Sequence, residues 1–412
     1  MSTVAVRWQP TRLALALATC AGITVLAGAI LGKIELLGFA APLLGALAGG
    51  RQRQRPAGSL TVETRLQHPR CLEYDEVPLT VDAGANGPVD EISVSLPSPH
   101  VETSTRDGRT FMLRPGRWGR WSLQPRVAAY AHSGLAETTL TAERTELRVY
   151  PAAGTLAAMP RPADLPDRAG VHIGRRRGSG IEFAAVRPYQ PGDLLRRINW
   201  TASARRGQLH VTDRLAEQAA EIVAVVDSFS DVPQPGGSTL DLGVHGATSV
   251  VQTALDRGDR AGVVALGGIL RWVGPDVGER QFYRVADTLL EVRLDDAVVE
   301  PDLGRIPRPA LPPRAAVVMF SPLLDRRALA SVRDLRQRGC ALVVVDTLRT
   351  APPTGRDSRI DRIALRLWRL ERRRVEANLT DLGIPVVRWP VGHLLDEVLG
   401  PLARRPLPGR TG

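Results

Sequence analysis

The stretch Glu221-Ile222-Val223-Ala224-Val225-Val226-Asp227-Ser228-Phe229-Ser230-Asp231 sets the reading of the C-terminal half. Ile222–Val226 is a continuous apolar run without polar alternation, as a strand buried on both faces requires. Similar runs recur downstream, separated by helical periodicity. Strands are expected at Ala261–Leu266, Ala315–Phe320, Ala341–Val345 and Val386–Trp389, with a short edge strand at Ile269–Val273. Helices are expected at Leu240–Arg257, Glu279–Leu290, Asp325–Arg338, stopped by Gly339, and Ile360–Leu379. This alternation predicts a doubly wound, largely parallel α/β sheet over 221–400, with right-handed crossovers. The proline-rich stretch Leu294–Pro313 reads as a loop inside that domain, and 401–412 as a disordered tail.

Ligands of such sheets sit beyond the carboxyl ends of the strands. The positions after Val226, Leu266, Phe320 and Val345 are therefore informative. None opens a GxxxxGK[ST] or GxGxxG phosphate loop or a G-x-S-x-G elbow. These absences argue against nucleotide hydrolysis and acyl transfer, and the chain is expected not to be an enzyme.

Upstream, residues 57–151 change character. Short segments rich in Val, Thr, Leu and Ser (Ser59–Leu66, Val77–Ala83, Glu91–Leu96, Thr110–Leu113, Trp118–Pro125, Glu137–Val149) alternate with Gly-, Pro- and Asn-containing turns. Short strands at regular spacing predict an all-β, sandwich-like domain. Within it, Arg114-Pro115-Gly116-Arg117-Trp118-Gly119-Arg120-Trp121 reads as hairpin packing rather than a ligand surface.

Residues 1–56 read as a membrane hairpin. Leu13–Leu31 is nineteen residues without a charge, close to the length that crosses the hydrocarbon core. A second uncharged run, 36–50, is shorter and holds Pro42; it either spans or dips in and returns. Arg7 and Arg12 precede the first run, and Arg51, Arg53 and Arg55 follow the second. The positive-inside rule then puts both termini and the soluble domains in the cytoplasm, on a multi-pass inner-membrane protein that meets lipid through the hairpin. A cleaved signal peptide is the competing reading, weakened because another apolar run follows instead of a polar mature start.

The net charge is +11, but 53 of the 54 basic residues are arginine and only Lys33 is lysine. So strong a bias points to genome composition. With aromatics at 4 %, no stretch interleaves bases with stacking platforms, which argues against nucleic-acid binding. Arg362, Arg366, Arg369 and Arg373 make one helix face cationic, read most simply as a solvated face. Cys20, Cys71 and Cys340 are scattered, giving neither a disulfide framework nor metal spacing.

Between the two soluble regions, 152–220 reads as linker plus a distinctive segment: Gly178-Ser179-Gly180-Ile181-Glu182-Phe183, then Val186-Arg187-Pro188-Tyr189-Gln190-Pro191-Gly192-Asp193, then Arg197-Ile198-Asn199-Trp200 and Ser203-Ala204-Arg205. This resembles the signature of the bacterial family known as domain of unknown function 58. That pattern runs G…EF, R-x-Y-x-P-G-D, R-x-I-D-W and S-A-R into a strand ending in Asp, here Asp227. Asn199 departs from it, standing where the pattern has Asp. The resemblance implies a von Willebrand factor A-like C-terminal domain and a membrane-bound, non-catalytic adaptor or scaffold for a protein partner, with a MoxR-type AAA+ ATPase as the expected one. It singles out Glu182, Phe183, Arg187, Tyr189, Pro191, Gly192, Asp193, Arg197, Trp200, Ser203 and Arg205. Read physically, Asp193 follows a Pro-Gly turn and is placed to cap the amides of Leu194–Arg197. Arg187 or Arg205 is then its ion-pair partner, and Trp200 its cover from water.

A-type domains often hold Mg²⁺ with D-x-S-x-S after the first strand. Here Phe229 and Asp231 stand at the two serine positions, and Pro322 where an acid is expected after Phe320. The site therefore reads as degenerate, with no cofactor expected. A shifted set, Asp227, Ser230, Asp231 and Asp325, stays open, and with it the alternative of a metal-dependent enzyme at Asp227 and Asp325.

Overall fold

The computed structural model describes residues 2–51, 56–98, 100–105, 107–160, 172–191, 193–218, 220–294, 306–313, 315–351 and 358–403, with the backbone alone for 2, 50, 51, 172–184 and 213–218. The chain divides into two compact units, 1–150 and 151–412.

The first unit opens with two short strands, β1 (Ser2–Ala5) and β2 (Gln9–Pro10), then helices α1 (Arg12–Leu31) and α2 (Glu35–Arg51). The Thr11 hydroxyl caps α1 by accepting from the Ala14 amide at 3.2 Å, and Gly32 ends it in the left-handed conformation at φ 61°. The two helices pack closely at Gly28, where a Cβ would stand 3.3 Å from the Lys33 carbonyl oxygen. Among the described residues, α1 is the one helix long and apolar enough to cross a membrane. Its side chains are apolar all round, with Ile23, Leu26 and Ile30 facing outward.

Ten strands follow: β3 (Ser59–Leu66), β4 (Arg70–Leu72), β5 (Val77–Ala85), β6 (Glu91–Ser95), β7 (Val101–Thr105), β8 (Thr110–Pro115), β9 (Gly119–Leu123), β10 (Arg126–Ala131), β11 (Ala136–Thr141) and β12 (Thr145–Tyr150). They build sheets in the orders β1-β3-β5-β8-β7, β2-β11-β10-β6 and β4-β12-β9. Alternation explains the core: Val77, Leu79 and Val81 of β5 are buried while Pro78 and Thr80 are half-buried. Leu79 and Leu113 of one sheet meet Leu123, Val127 and Leu147 of the others in one cluster. The single strand expected over Glu137–Val149 is broken in two, because Ala142 to Arg144 turn the chain. The strands not foreseen in the sequence are two to six residues long and polar or alanine-rich. Trp118 is buried, its amide held by the buried Glu73 at 2.8 Å; Trp121 stacks on His100 with ring centroids 4.6 Å apart. Both tryptophans therefore serve packing, but the segment that carries them is no hairpin: it takes the chain from β8 in one sheet to β9 in another.

Both strands that precede α1 are sheet members. β1 pairs antiparallel with β3, Ser2 opposite Val62 and Ala5 opposite Ser59, and β2 pairs with β11. The chain thus leaves this β domain at Arg12 and rejoins it just after α2.

In the second unit, residues 151–160 lie along the α/β domain: the Gly154 amide donates to Ser249 Oγ at 2.8 Å and the Ala157 amide to Asp396 Oδ1 at 2.7 Å. An antiparallel, bulged ribbon follows, β13 (His172–Pro188) with β14 (His210–Gln218), carrying a 3₁₀ turn (Leu195–Arg197) and helix α3 (Trp200–Arg206) in its connection. Then come β15 (Glu221–Asp227), the small hairpin β16 (Pro233–Gln234) and β17 (Gly237–Ser238), α4 (Thr239–Asp256), β18 (Arg260–Leu266), β19 (Arg271–Asp276), α5 (Glu279–Leu289), β20 (Ala316–Ser321), α6 (Arg326–Gln337), β21 (Ala341–Asp346), α7 (Arg359–Asp381), β22 (Val386–Arg388) and α8 (Leu395–Ala403). The six-stranded sheet has the order β19-β18-β15-β20-β21-β22, parallel except for edge strand β19. That strand starts two residues later than expected, since Ile269 is left 70 % exposed in the turn before it.

Helices cover both faces. On one, α4 seats against Val226 and Phe320; a Cβ on Gly246 would fall 2.2 Å from the Phe320 ring, so only glycine permits that approach. On the other, Val223, Val225, Val317 and Met319 pack with Ala328, Val332 and Leu335 of α6 and Leu379 of α7. Burying each of the larger side chains contributes roughly 1.5–3 kcal/mol, which is why these runs are strands whatever their neighbours prefer. The chain leaves β15 toward β18 and later returns to β20 on its other side. The carboxyl ends of β15 and β20 therefore flank the position where open α/β sheets hold ligands.

Candidate functional site

At that position the chain places Asp227, last residue of β15 and 2 % exposed. Ser321, last residue of β20, donates its hydroxyl to Asp227 Oδ2 at 2.5 Å, and the Phe229 amide donates to Oδ1 at 2.9 Å. The Ser321 oxygen in turn accepts from the Leu323 amide at 2.9 Å. Burial pushes the Asp227 carboxyl up to about 6, against the pull of those two donors. Phe229 is itself buried, with the Arg327 guanidinium over its ring at 4.6 Å. Arg327 is held by Asp325 through Nε at 3.0 Å and Nη2 at 2.8 Å, and this pair keeps the Asp325 carboxyl below the usual carboxylate range. Asp325 also caps α6, taking the Arg327 amide at 2.8 Å.

Asp231 is engaged too. Its Oδ1 accepts the Leu240 amide at 3.0 Å and the Thr239 hydroxyl at 3.3 Å, at the start of α4. Of the candidate cation set, only the buried Ser230 hydroxyl has no partner among the described residues. The three carboxylates face protein donors, where Mg²⁺ would need oxygens free to ligate it. As placed, these residues do not fit a cation. Among the described residues, no three His, Cys, Asp or Glu side chains stand together as a metal set. The crevice is a closed plug of Asp227, Ser321, Phe229 and Arg327.

The distinctive segment at 182–205 is built differently. Gly192 lies outside the described residues, as do the side chains of Glu182 and Phe183 on β13. Arg187, at the end of β13, meets Asp193 through two parallel bonds, Nη1 to Oδ2 at 2.7 Å and Nη2 to Oδ1 at 2.6 Å. The Gln190 amide adds a third donor at 2.8 Å, closing the turn that contains Pro191. The Arg187 hydrogen bonds hold the Asp193 carboxyl down at about 2, and Arg197 adds its charge. The Tyr189 amide ties this turn to the Leu209 carbonyl at 2.8 Å.

Two expectations are corrected here. Asp193 does not cap Leu194–Arg197, because the forked guanidinium and Gln190 occupy both its oxygens, and the 3₁₀ turn has no side-chain cap. The cap belongs to Asn199, whose Oδ1 accepts the Ala202 amide at 3.0 Å while Nδ2 donates to Thr212 Oγ1 at 3.0 Å. Asn and Asp serve equally at such a position, which accounts for the one departure from the pattern. Nor does Trp200 cover the ion pair: it is 68 % exposed. Arg205 also points to solvent, leaving Arg187 as the partner. Ser203 is buried and bridges the turns, accepting the His210 amide at 2.8 Å and donating to the Asn199 carbonyl at 2.7 Å. The clasp so tied leaves Leu194, Leu195, Trp200 and Leu209 exposed, along with Arg196, Arg205 and Arg206.

Residues 185–360 match the model of the family described as protein of unknown function DUF58. The uncharacterized proteins Rv1480 of Mycobacterium tuberculosis H37Rv and Mb1516 of Mycobacterium bovis are each 30 % identical to this chain over 138 residues, which is 33 % of this chain and 44 % of theirs. The chain thus spans less than half the length of these curated relatives. A solved chimeric titin Z1Z2 carrying a decorin peptide is 23 % identical, covers 40 % of this chain and 85 % of its own, and has a TM-score of 0.17.

Proposed function

We propose that this chain is a membrane-anchored, cytoplasm-facing docking protein whose α/β domain, of von Willebrand factor A type, serves recognition and does no chemistry. A protein partner, with a MoxR-type AAA+ ATPase as first candidate, is bound at the clasp. The observation that carries this reading is Trp200, held out at 68 % exposure with Leu194 and Leu195 by a clasp that the Arg187–Asp193 fork keeps rigid. Tryptophan and arginine dominate the energetics of protein interfaces, and a preformed loop loses little freedom on binding. The plug over Asp227 supports the non-catalytic part, since no substrate reaches a carboxylate closed in by Phe229 and Ser321. A metal-dependent enzyme at Asp227 and Asp325 is the weaker alternative, because both carboxylates are spent on protein donors. A divalent cation that raised the melting temperature would revive it.

The membrane reading draws on strand pairing. Because β1 and β3 are neighbours in one sheet, any excursion of α1 into a bilayer must be undone by α2. With seventeen residues, α2 is about 25 Å long, near the hydrocarbon thickness. In the sequence, Arg7 and Arg12 precede the two helices and Arg51, Arg53 and Arg55 come at or after their end, and the positive-inside rule assigns such flanks to the cytoplasm.

Full-length protein extracted from native membranes in mild detergent is expected to bring down an AAA+ ATPase, and Trp200→Ala to lose at least nine-tenths of it while melting like wild type. Wild type that recovers no ATPase, or Trp200→Ala that recovers as much, contradicts the reading.

A further inference from the structure

The cationic face of α7 is more than a solvated helix surface. At the carboxyl ends of β21 and β22 a hollow of about 360 Å³ lies against α7, lined by Arg349, Arg369, Arg372, Arg373 and Arg388. Two carboxylates serve these five cations. Asp346, 2 % exposed at the end of β21, pairs with Arg372, and Glu376 takes Arg388 through two bonds of 2.7 and 2.9 Å. Arg349, Arg369 and Arg373 have no carboxylate partner among the described residues. Like charges gathered on a concave wall raise the local potential and draw anions.

The hollow is also preorganised. Arg349 stacks on the buried Trp389 ring at 4.8 Å, and that ring is fixed by its Nε1–H donating to the His393 carbonyl at 2.9 Å. The next residue, Thr350, is pinned from the β16–β17 hairpin: its amide and hydroxyl both donate to Gln234 Oε1, at 2.8 and 3.1 Å. Arg349 Nε is buried without a partner among the described residues, and burial lowers the affinity of that guanidinium for its proton. A guanidinium held partly out of water without a counter-charge is costly, and a guest anion would remove that cost. The forked donors match phosphoryl oxygens.

We infer that this hollow is a binding site for a phosphate-bearing anion, with Arg349, Arg369 and Arg373 as its ligating cations and Arg372 committed to Asp346. The shared chemistry is a phosphoryl group, borne either by a soluble molecule or by an anionic lipid headgroup. Because the site lies away from the clasp in sequence and uses other residues, it stands or falls separately from partner docking.

The test uses the full-length protein, with thermal stabilisation and equilibrium binding as readouts. In neutral detergent, inorganic phosphate and pyrophosphate are compared with chloride at matched ionic strength. In lipid nanodiscs, phosphatidylglycerol is compared with phosphatidylcholine. Stabilisation by free phosphate or pyrophosphate identifies a soluble ligand, and stabilisation by phosphatidylglycerol alone identifies the headgroup. In either case Arg369→Gln with Arg373→Gln, both exposed and so safe for folding, should weaken the response at least tenfold, whereas Arg284→Gln on α5 should leave it unchanged. The inference is overturned if neither arm affects wild type, or if the double variant responds as strongly.

Discussion

Replacing Arg372 by methionine is expected to destabilise the α/β domain by about 3–5 kcal/mol, the usual consequence of leaving one half of a buried ion pair alone. Arg372 is well shielded and Asp346 is 2 % exposed. Burial already raises the Asp346 carboxyl above its ordinary range, and Arg372 is the principal charge opposing that rise. Without it the aspartate must either ionise unpaired or take up a proton, and both routes cost stability at neutral pH. Methionine retains the apolar stem that lies along α7, so lost packing is a minor part of the effect. Adding Asp346→Asn should restore most of the stability, because the stranded charge is then gone. Chemical denaturation of the full-length protein in detergent reads both; a double variant as unstable as Arg372→Met would mean that packing, and not charge, was lost.

A second large effect is expected at Asp227, with a definite pH sign. The folded-state carboxyl titrates at about 6 against an ordinary 3.8. Between those values the native state keeps a proton that the unfolded chain has released. Stability therefore falls as pH rises through this window and is level above it. Two units correspond to about 3 kcal/mol. Asp227→Asn cannot ionise, so it should lack that fall and be the more stable protein at pH 7.5, by up to about 3 kcal/mol. A variant whose stability still drops between pH 4 and 6 as wild type does would assign the slope to another group.

The strands of the α/β sheet were legible because each is buried on both faces, and no amphipathic pattern competes with runs such as Ile222–Val226 or Ala341–Val345. The β13–β14 ribbon was not. Its strands mix glycine, arginine and glutamate, and its pairing is interrupted by bulges, so neither a period of two nor an apolar run marks it. β1 was equally hidden: four residues whose strand partner, β3, lies beyond two helices carry no local signal. The clasp shows the same boundary. That Asp193 pairs with an arginine could be anticipated, but the sequence left Arg187 and Arg205 equally open and misassigned the cap. Asn199, placed just ahead of Trp200, was the better reading of a helix start. For the anion site, the spacing of Arg369 and Arg373 was visible on one helix face, but Arg349 and Arg388 arrive from separate strand ends and only the fold gathers them. Likewise, Phe229 was read as a missing ligand when its place in the fold is that of a stopper.

The most direct measurement is side-specific thiol labelling of proteins given one exposed cysteine in a Cys20→Ser background, where the remaining Cys71 and Cys340 are buried. Lys33→Cys, between α1 and α2, should react with an impermeant maleimide on intact spheroplasts, and Gln67→Cys and Gln208→Cys only after lysis. If Lys33→Cys and Gln67→Cys instead react from the same face, the helices do not carry the chain across a membrane and back, and the anchored docking module has to be abandoned.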